Sequence, residues 1–589
     1  MIWKKPIFTF GFVLAGILPL LAVSGEEDAK LESFYKDYLD ASFQLHPLNA
    51  TALGDHRFDA QLEDLSPASR RKWRNEDQSV LKRLPREINF EKLSPDGQVN
   101  FRMLKHELEL GLWSAENEPD FEKDPRVYNQ YITDSIYLAL TQSTLPKEKN
   151  VSNCIARLRK IPRIIEAAKQ NLRHPPKVHT ETAIRQNKGA IDFYENGLFQ
   201  EVGQTAQLEA LRAAARPVAE ALRSYQTFLE KELLPRADGD WRVGQKKFAK
   251  KLEMVLQTGR NADETMADAE SEFARVRNDM YVVARQLWSK YFPVQVLPPD
   301  DEIGRRFTTS EVMRAIGKEH GSADQLAANM IDRVQKLKQF ITAKQILHLP
   351  DPDPCQVVVM PEFKRGNSTA YMEAPPPLDP TATGHLAISP PPADWDNARV
   401  NSYLEEYNDH MLDILAIHEG YPGHAVQLQY GNNNKSLIRR VLGSGAYIEG
   451  WAVYTEQMMS DQGYGNGDLA LRLSQLKFYL RAVANTILDH KMQCGQMTDE
   501  QALAFLTNDC FQSEGEARLK IIRSKQSACQ LSTYFAGRMG HYRLRQQIER
   551  EMGAKFTLAA YHEAVLNPGA VALQYLPGIV RRELGLKQP

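Results

Sequence analysis

Apolar positions recur along most of the chain at spacings of three and four, the mark of helices that bury one face. Leu31, Phe34, Tyr35, Tyr38 and Ser42 trace one such face. Val151, Ile155, Leu158, Ile161, Ile165, Ala168 and Leu172 trace a second, and Leu208, Leu211, Val218, Leu222, Tyr225, Leu229 and Leu233 a third. The same period predicts helices near 246–292, 309–345, 401–419, 467–492, 499–508, 514–528 and 530–550. In the 401–419 stretch Leu404, Tyr407, Met411, Leu412, Leu415 and Ile417 form the apolar stripe. There is no internal repeat, and the stripes read as core. The fold class predicted is mainly α.

The pattern changes once, between 349 and 396, where prolines cluster at 350, 352, 354, 375–377 and 390–392. Between them Gln356–Met360 and His385–Ser389 are short, partly β-branched and bounded by breakers, so both read as strands. A small β-sheet is therefore expected just before the 401–419 helix, either as a structural hairpin or with an edge open to a ligand.

That helix ends in the chemistry. Ala416-Ile417-His418-Glu419-Gly420-Tyr421-Pro422-Gly423-His424 places two imidazoles and a carboxylate within seven residues. Two neutral imidazoles suit a borderline-soft divalent ion, and a free carboxylate beside them can deprotonate a water that the ion activates. The common HExxH zinc helix sets its histidines four apart. Here they are six apart, which on an ideal helix points them away from each other. Gly420, Pro422 and Gly423 predict a broken or widened turn that swings His424 back toward His418.

A catalytic zinc site needs a third protein ligand. Glu449 lies 25 residues after His424 within Gly445-Ala446-Tyr447-Ile448-Glu449-Gly450-Trp451-Ala452, and its apolar neighbours make an unpaired carboxylate costly. Glu456, two helical turns on, could orient a ligand from behind.

With these residues in view, His418–His424 followed by Glu449-Gly450-Trp451-Ala452 resembles the DUF885 family of helical proteins. The resemblance extends from Thr51-Ala52-Leu53-Gly54-Asp55-His56-Arg57-Phe58-Asp59 to Tyr561-His562-Glu563-Ala564-Val565-Leu566. It implies a gluzincin-like metallopeptidase fold, a large helical body with a small sheet beside the active-site helix. It also implies one Zn2+ per chain held by His418, His424 and Glu449, with Glu419 as general base. In gluzincins a strand in the place of this sheet offers its edge to the substrate backbone. Gln530–Gly537 is similar to a family stretch that makes Tyr534 a candidate oxyanion donor, and His562 is a second candidate; a buried structural role is the alternative for each. Where many relatives carry aspartate and histidine, this chain has Asn485 and Asp489, which leaves the metal ligands untouched and bears on specificity.

The function expected is a zinc-dependent hydrolase, foremost a peptidase acting on a peptide or small amide. The alternatives are a metallohydrolase of non-peptide amides or esters, and a non-catalytic secreted binding protein with a relict metal site; the intact Glu419 argues against the last. Arg481 and Arg538 are candidates for binding a terminal carboxylate. The mode of cleavage and the oligomeric state stay open.

Composition alters this picture little. The chain has 589 residues, 42% hydrophobic and 25% charged, as in ordinary globular proteins. Its net charge of -2 offers no basic excess for nucleic acid or an anionic membrane. Lys4 and Lys5, the apolar run Ile7–Ala22 and the small residues Ser24 and Gly25 read as a signal peptide over 1–25. Without those two lysines the net charge is -4 (-2 minus 2). Export is expected, to the periplasm or outside the cell, with no stable membrane anchor after cleavage. No cysteine stands at the junction, which argues against a lipoprotein. Residues 26–589 are then one large domain, with a helical half (about 26–345) and a catalytic half (about 346–589). The five cysteines, Cys154, Cys355, Cys494, Cys510 and Cys529, leave at least one unpaired within the chain, and none has CxxC spacing.

Overall fold

Helix follows helix because the chain sets a polar cap at one start after another. Ser66, Ser94, Asp301, Asn408, Ser444 and Ser513 each accept a first-turn backbone N–H through the side chain, supplying a partner that the helix itself lacks. Asn261 and Glu264 form a reciprocal capping box. The computed structural model describes residues 18–588 apart from 352, 354, 361–369, 380, 393 and 394, and of 18–24 the backbone alone. Residues 1–17 of the predicted signal segment thus lie outside the described residues, and the remainder opens the helix Leu18–Leu45.

The architecture is mainly α, with one three-stranded sheet. Every position of the Val151–Leu172 stripe is buried. Among the described residues three apolar cores hold the chain together. One joins Leu31, Phe34 and Leu337 to Leu415 and Trp451; the second lies within the first half of the chain; the third packs Val276 and Met280 against Leu480 and Val483. Residues on both sides of 345/346 share the first and third. Among the described residues no helix is long and apolar enough to cross a membrane. All five cysteines are free.

Several boundaries differ from the periodicity. The 246–292 segment is two helices, Gln245–Leu256 and Ala262–Tyr291, divided where Gln257 and Gly259 turn to positive φ. The 401–419 segment is also divided, into Asn397–Glu406 and Asp409–Leu415. Asn408 takes an extended backbone there and caps Met411 N–H at 3.1 Å.

The sheet has the order β1-β3-β2, with β1 (Cys355–Val359) parallel and β2 (Ala370–Glu373) antiparallel to β3 (Gly384–Ile388). The two strands expected from sequence are therefore neighbours, but not a hairpin. The expected His385–Ser389 strand is the central one, with Leu386, Ala387 and Ile388 all buried. The edge that meets the 418 region is β2, which the apolar pattern does not predict.

Candidate metal centre

The Asp409–Leu415 helix widens at its end. Tyr421 N–H reaches back five residues to Ala416 O at 3.0 Å, and Gly423 N–H six residues to Ile417 O at 3.0 Å. A Cβ on Gly423 would stand 2.0 Å from His418 O and 2.3 Å from Ile417 O, so only glycine permits this approach. The chain then re-enters a helix at His424 (His424–Asn432). The His418 and His424 rings meet at right angles, with centroids 4.9 Å apart.

Glu449 comes from the helix Gly445–Asp461, with Oε2 3.4 Å from His424 Nε2 and 3.9 Å from His418 Nε2. Ligand atoms of all three residues lie within 4.8 Å of one another. Two donors at about 2.1 Å from a tetrahedral zinc stand about 3.4 Å apart, so the set matches that ion in spacing as well as in donor type. On the far side of His418, Glu456 Oε1 lies 2.7 Å from Nδ1, leaving Nε2 free to face Glu449. Glu456 is fully buried, and its Oε2 has no partner among the described residues. Burial drives its pKa well upward. His418 itself is pushed down to about 3, by burial and then by the charge of His424, which keeps the ring neutral. Burial opposes charge on His424, but its hydrogen bond with Glu449 and the charge of that residue outweigh it, and the pKa rises.

Glu419 stands beside the triad and outside it. Burial pushes its pKa up to about 7, against the pull of His424, with Glu449 adding to the rise. One oxygen accepts the backbone N–H of Met372 on β2 at 3.0 Å.

Tyr534 is also brought to the centre. Its hydroxyl accepts Arg523 Nη2 at 3.1 Å and Gln530 Nε2 at 3.3 Å, and it hydrogen-bonds Glu449. His562 is placed elsewhere: it is fully buried, with Nδ1 2.9 Å from Ile346 O and Nε2 2.8 Å from Tyr454 Oη. Both nitrogens are engaged, so the ring is a packing residue behind Trp451, which it meets edge-on. Neither candidate arginine is free. Arg481 pairs with Glu516 at 3.0 Å, and Arg538 with Gln457 at 2.6 Å, stacked between Tyr479 and Tyr542. Asp489 accepts Cys529 N–H at 3.1 Å and Ser532 Oγ–H at 2.8 Å, tying down the turn before the helix of Tyr534. Asn485 is buried, and its side-chain oxygen has no partner among the described residues.

The Thr51–Asp59 motif holds the loop after β2. His56 bridges Asp59 at 2.9 Å and Asp379 at 3.3 Å, and Leu378 N–H donates to Leu53 O at 2.9 Å. Reasoning from residues alone passes over Met372, because its part is played by a backbone N–H that any residue except proline would supply.

Comparison with known proteins extends the picture. The family described as bacterial proteins of unknown function, DUF885, matches residues 47–580. A solved structure of a candidate lipoprotein of unknown function from Shewanella oneidensis is similar at 28% identity and a TM-score of 0.79, covering 93% of this chain and 99% of that one. One of a candidate lipoprotein from Colwellia psychrerythraea shares the fold at 20% identity and a TM-score of 0.77, covering 95% and 99%. No curated protein matches the chain.

Proposed function

The chain belongs to the DUF885 family of bacterial proteins of unknown function, and from that premise and the centre's geometry we propose that it is a zinc-dependent hydrolase of peptide bonds. The observation that carries the reading is the convergence of His418, His424 and Glu449 within 4.8 Å, with Glu419 alongside but not among them. Those three residues would hold the ion. When bound, zinc supplies Lewis acidity, polarising a carbonyl and easing the deprotonation of a water.

The rest falls to the chain's own groups. Glu419 takes a proton from the attacking water and passes it to the leaving amine; burial raises its affinity for that proton. Met372 N–H fixes one of its oxygens and so aims the other. Tyr534, whose hydroxyl oxygen is served by Arg523 and Gln530, gives its one proton to Glu449 and would have to turn from it to donate to a developing oxyanion, a contribution of a few kcal/mol in comparable sites. Glu456 holds the ring of His418. The edge strand β2 stands beside the base, which supports an extended peptide over a small ester as substrate, although its Met372 N–H is held by Glu419.

Export belongs to the same reading. It is supported by Lys4, Lys5 and the apolar run after them, and the Shewanella neighbour, described as a candidate lipoprotein, is compatible with it.

The test is elemental analysis of the purified protein together with mass spectrometry of a peptide mixture incubated with and without chelator. One zinc per chain and chelator-sensitive fragments are expected. Protein without stoichiometric metal, or fragments that form equally with chelator present, would overturn the reading. A parallel panel of small esters and amides separates peptidase from other hydrolase.

A further inference from the structure

A buried lysine is rare unless it is paired. Lys520, on the helix Glu514–Gln526, is 8% exposed, and among the described residues its ammonium has no hydrogen-bond or carboxylate partner. Glu516, the acidic residue that acts on it, already receives Arg481 Nη2 at 3.0 Å and Tyr407 Oη at 3.1 Å. One turn on, Arg523 donates to the neutral oxygens of Gln530 and Tyr534, and it too lacks a carboxylate among the described residues. Burial, with Arg481 and Arg523 as like-charged neighbours, pushes Lys520 down to about 7. Two cations on one helix face are thus left without a counter-charge.

They lie beside the metal ligands. On one flank Arg523 touches Tyr534, which hydrogen-bonds Glu449. On the other, the Arg481 guanidinium is 5.4 Å from the Phe478 ring centre, and that ring stands edge-on to His418 at 5.6 Å. Lys520 is flanked by two arginines, each one side chain removed from a ligand.

We propose that Lys520 and Arg523 form a subsite that binds a carboxylate of the substrate next to the scissile bond. This rests on reading the centre as a peptidase. The group recognised is the peptide's own C-terminal carboxylate or an acidic side chain near the cleavage point. An ammonium and a guanidinium presented together suit that anion, and a carboxylate bound there gives Lys520 its missing partner. Cleavage close to the C-terminus, or close to an acidic residue, follows.

The test uses zinc-loaded Glu419→Gln protein, so that binding is read without turnover. Three related peptides are titrated calorimetrically: the free acid, its C-terminal amide, and the amide with glutamate substituted as its last residue. The free acid should bind roughly tenfold or more tighter than the plain amide. Lys520→Met should erase the difference with zinc content retained, and Arg523→Gln should weaken it, which serves if the first variant does not fold. Equal binding of the acid and the glutamyl amide assigns the subsite to any carboxylate at that position; preference for the acid alone assigns it to the terminus. Equal binding of all three peptides, or a preference that survives Lys520→Met, overturns the proposal. Wild-type protein that hydrolyses no peptide while the variant still selects the acid would defeat the peptidase reading and leave the subsite standing.

Discussion

A methyl group on Gly450 would stand 2.2 Å from the carbonyl carbon of Gly537, and one on Gly537 would stand 1.8 Å from Ala446 O. The helices Gly445–Asp461 and Thr533–Met552 cross there backbone to backbone, with no room for a side chain on either. Glu449 precedes the first of these glycines by one residue and Tyr534 precedes the second by three. The crossing therefore sets the distance between Glu449, a proposed metal ligand, and the hydroxyl that bonds it.

Gly450→Ala and Gly537→Ala should each lower the melting temperature. Alanine is the better helix former by about 1 kcal/mol, so any loss is steric. Overpacking of this kind costs about 1–3 kcal/mol. Thermal unfolding followed by circular dichroism measures it, and two unchanged melting curves would mean the helices part without penalty.

Glu419→Gln and His418→Ala separate chemistry from binding. The glutamine cannot accept the proton from water, but it leaves the three ligands in place, so zinc should stay stoichiometric while turnover disappears. His418→Ala should lose metal and turnover together. Full activity in Glu419→Gln protein would remove this residue from the mechanism.

How far the sequence carries can be seen residue by residue. The stripe from Val151 to Leu172 is readable because burial on one face imposes its period directly. The closeness of His418 to His424 is readable because Gly420, Pro422 and Gly423 forbid a regular helix between them. The break at Asn408 is not, since apolar residues continue through it and only the cap geometry shows the new start. Nor is β2, a strand of four residues that exists by pairing with β3. Lys520 and Arg523 look like ordinary helix-surface cations until the fold buries one and sets the other against Tyr534.

Glu456→Ala tests the support behind the proposed metal ligands. With its partner gone, the His418 ring loses the bond that holds Nε2 toward Glu449. Loss of such an outer partner lowers metal affinity by about 10- to 100-fold. Competition with a chromogenic chelator measures this, and wild-type affinity would show that His418 needs no orientation.

Acid should destabilise the fold through histidines remote in sequence from His418, His424 and Glu449. His46 and His541 are pushed down to about 4 and His562 to about 3, in each case by burial. A folded-state pKa below the unfolded value means that the unfolded chain binds more protons. The stability these neutral rings contribute is fully present above about pH 6.5 and is lost as pH falls toward 4 and 3. The melting temperature should drop through that window, and His562→Asn should flatten the slope. An identical slope in that variant would assign the acid sensitivity to other groups.

Met372→Pro isolates a single backbone hydrogen bond. The Met372 N–H is occupied by Glu419, so it points away from β3 and contributes nothing to the ladder. β2 is an edge strand, where proline is tolerated if its missing N–H faces outward. The substitution thus leaves the sheet and the three proposed ligands in place and takes from Glu419 the one backbone donor it has among the described residues. A charge-assisted bond of this type is worth about 1.5–3 kcal/mol, so kcat should fall roughly tenfold to a hundredfold with zinc content unchanged. The same loss should weaken the depression that the N–H exerts on Glu419, moving the acidic limb of the pH–rate profile upward. Met372→Leu, which keeps the N–H, should match the wild type in both measurements. A proline variant as fast as wild type, with an unmoved acidic limb, would show that Glu419 is held by its own helix and owes nothing to the sheet.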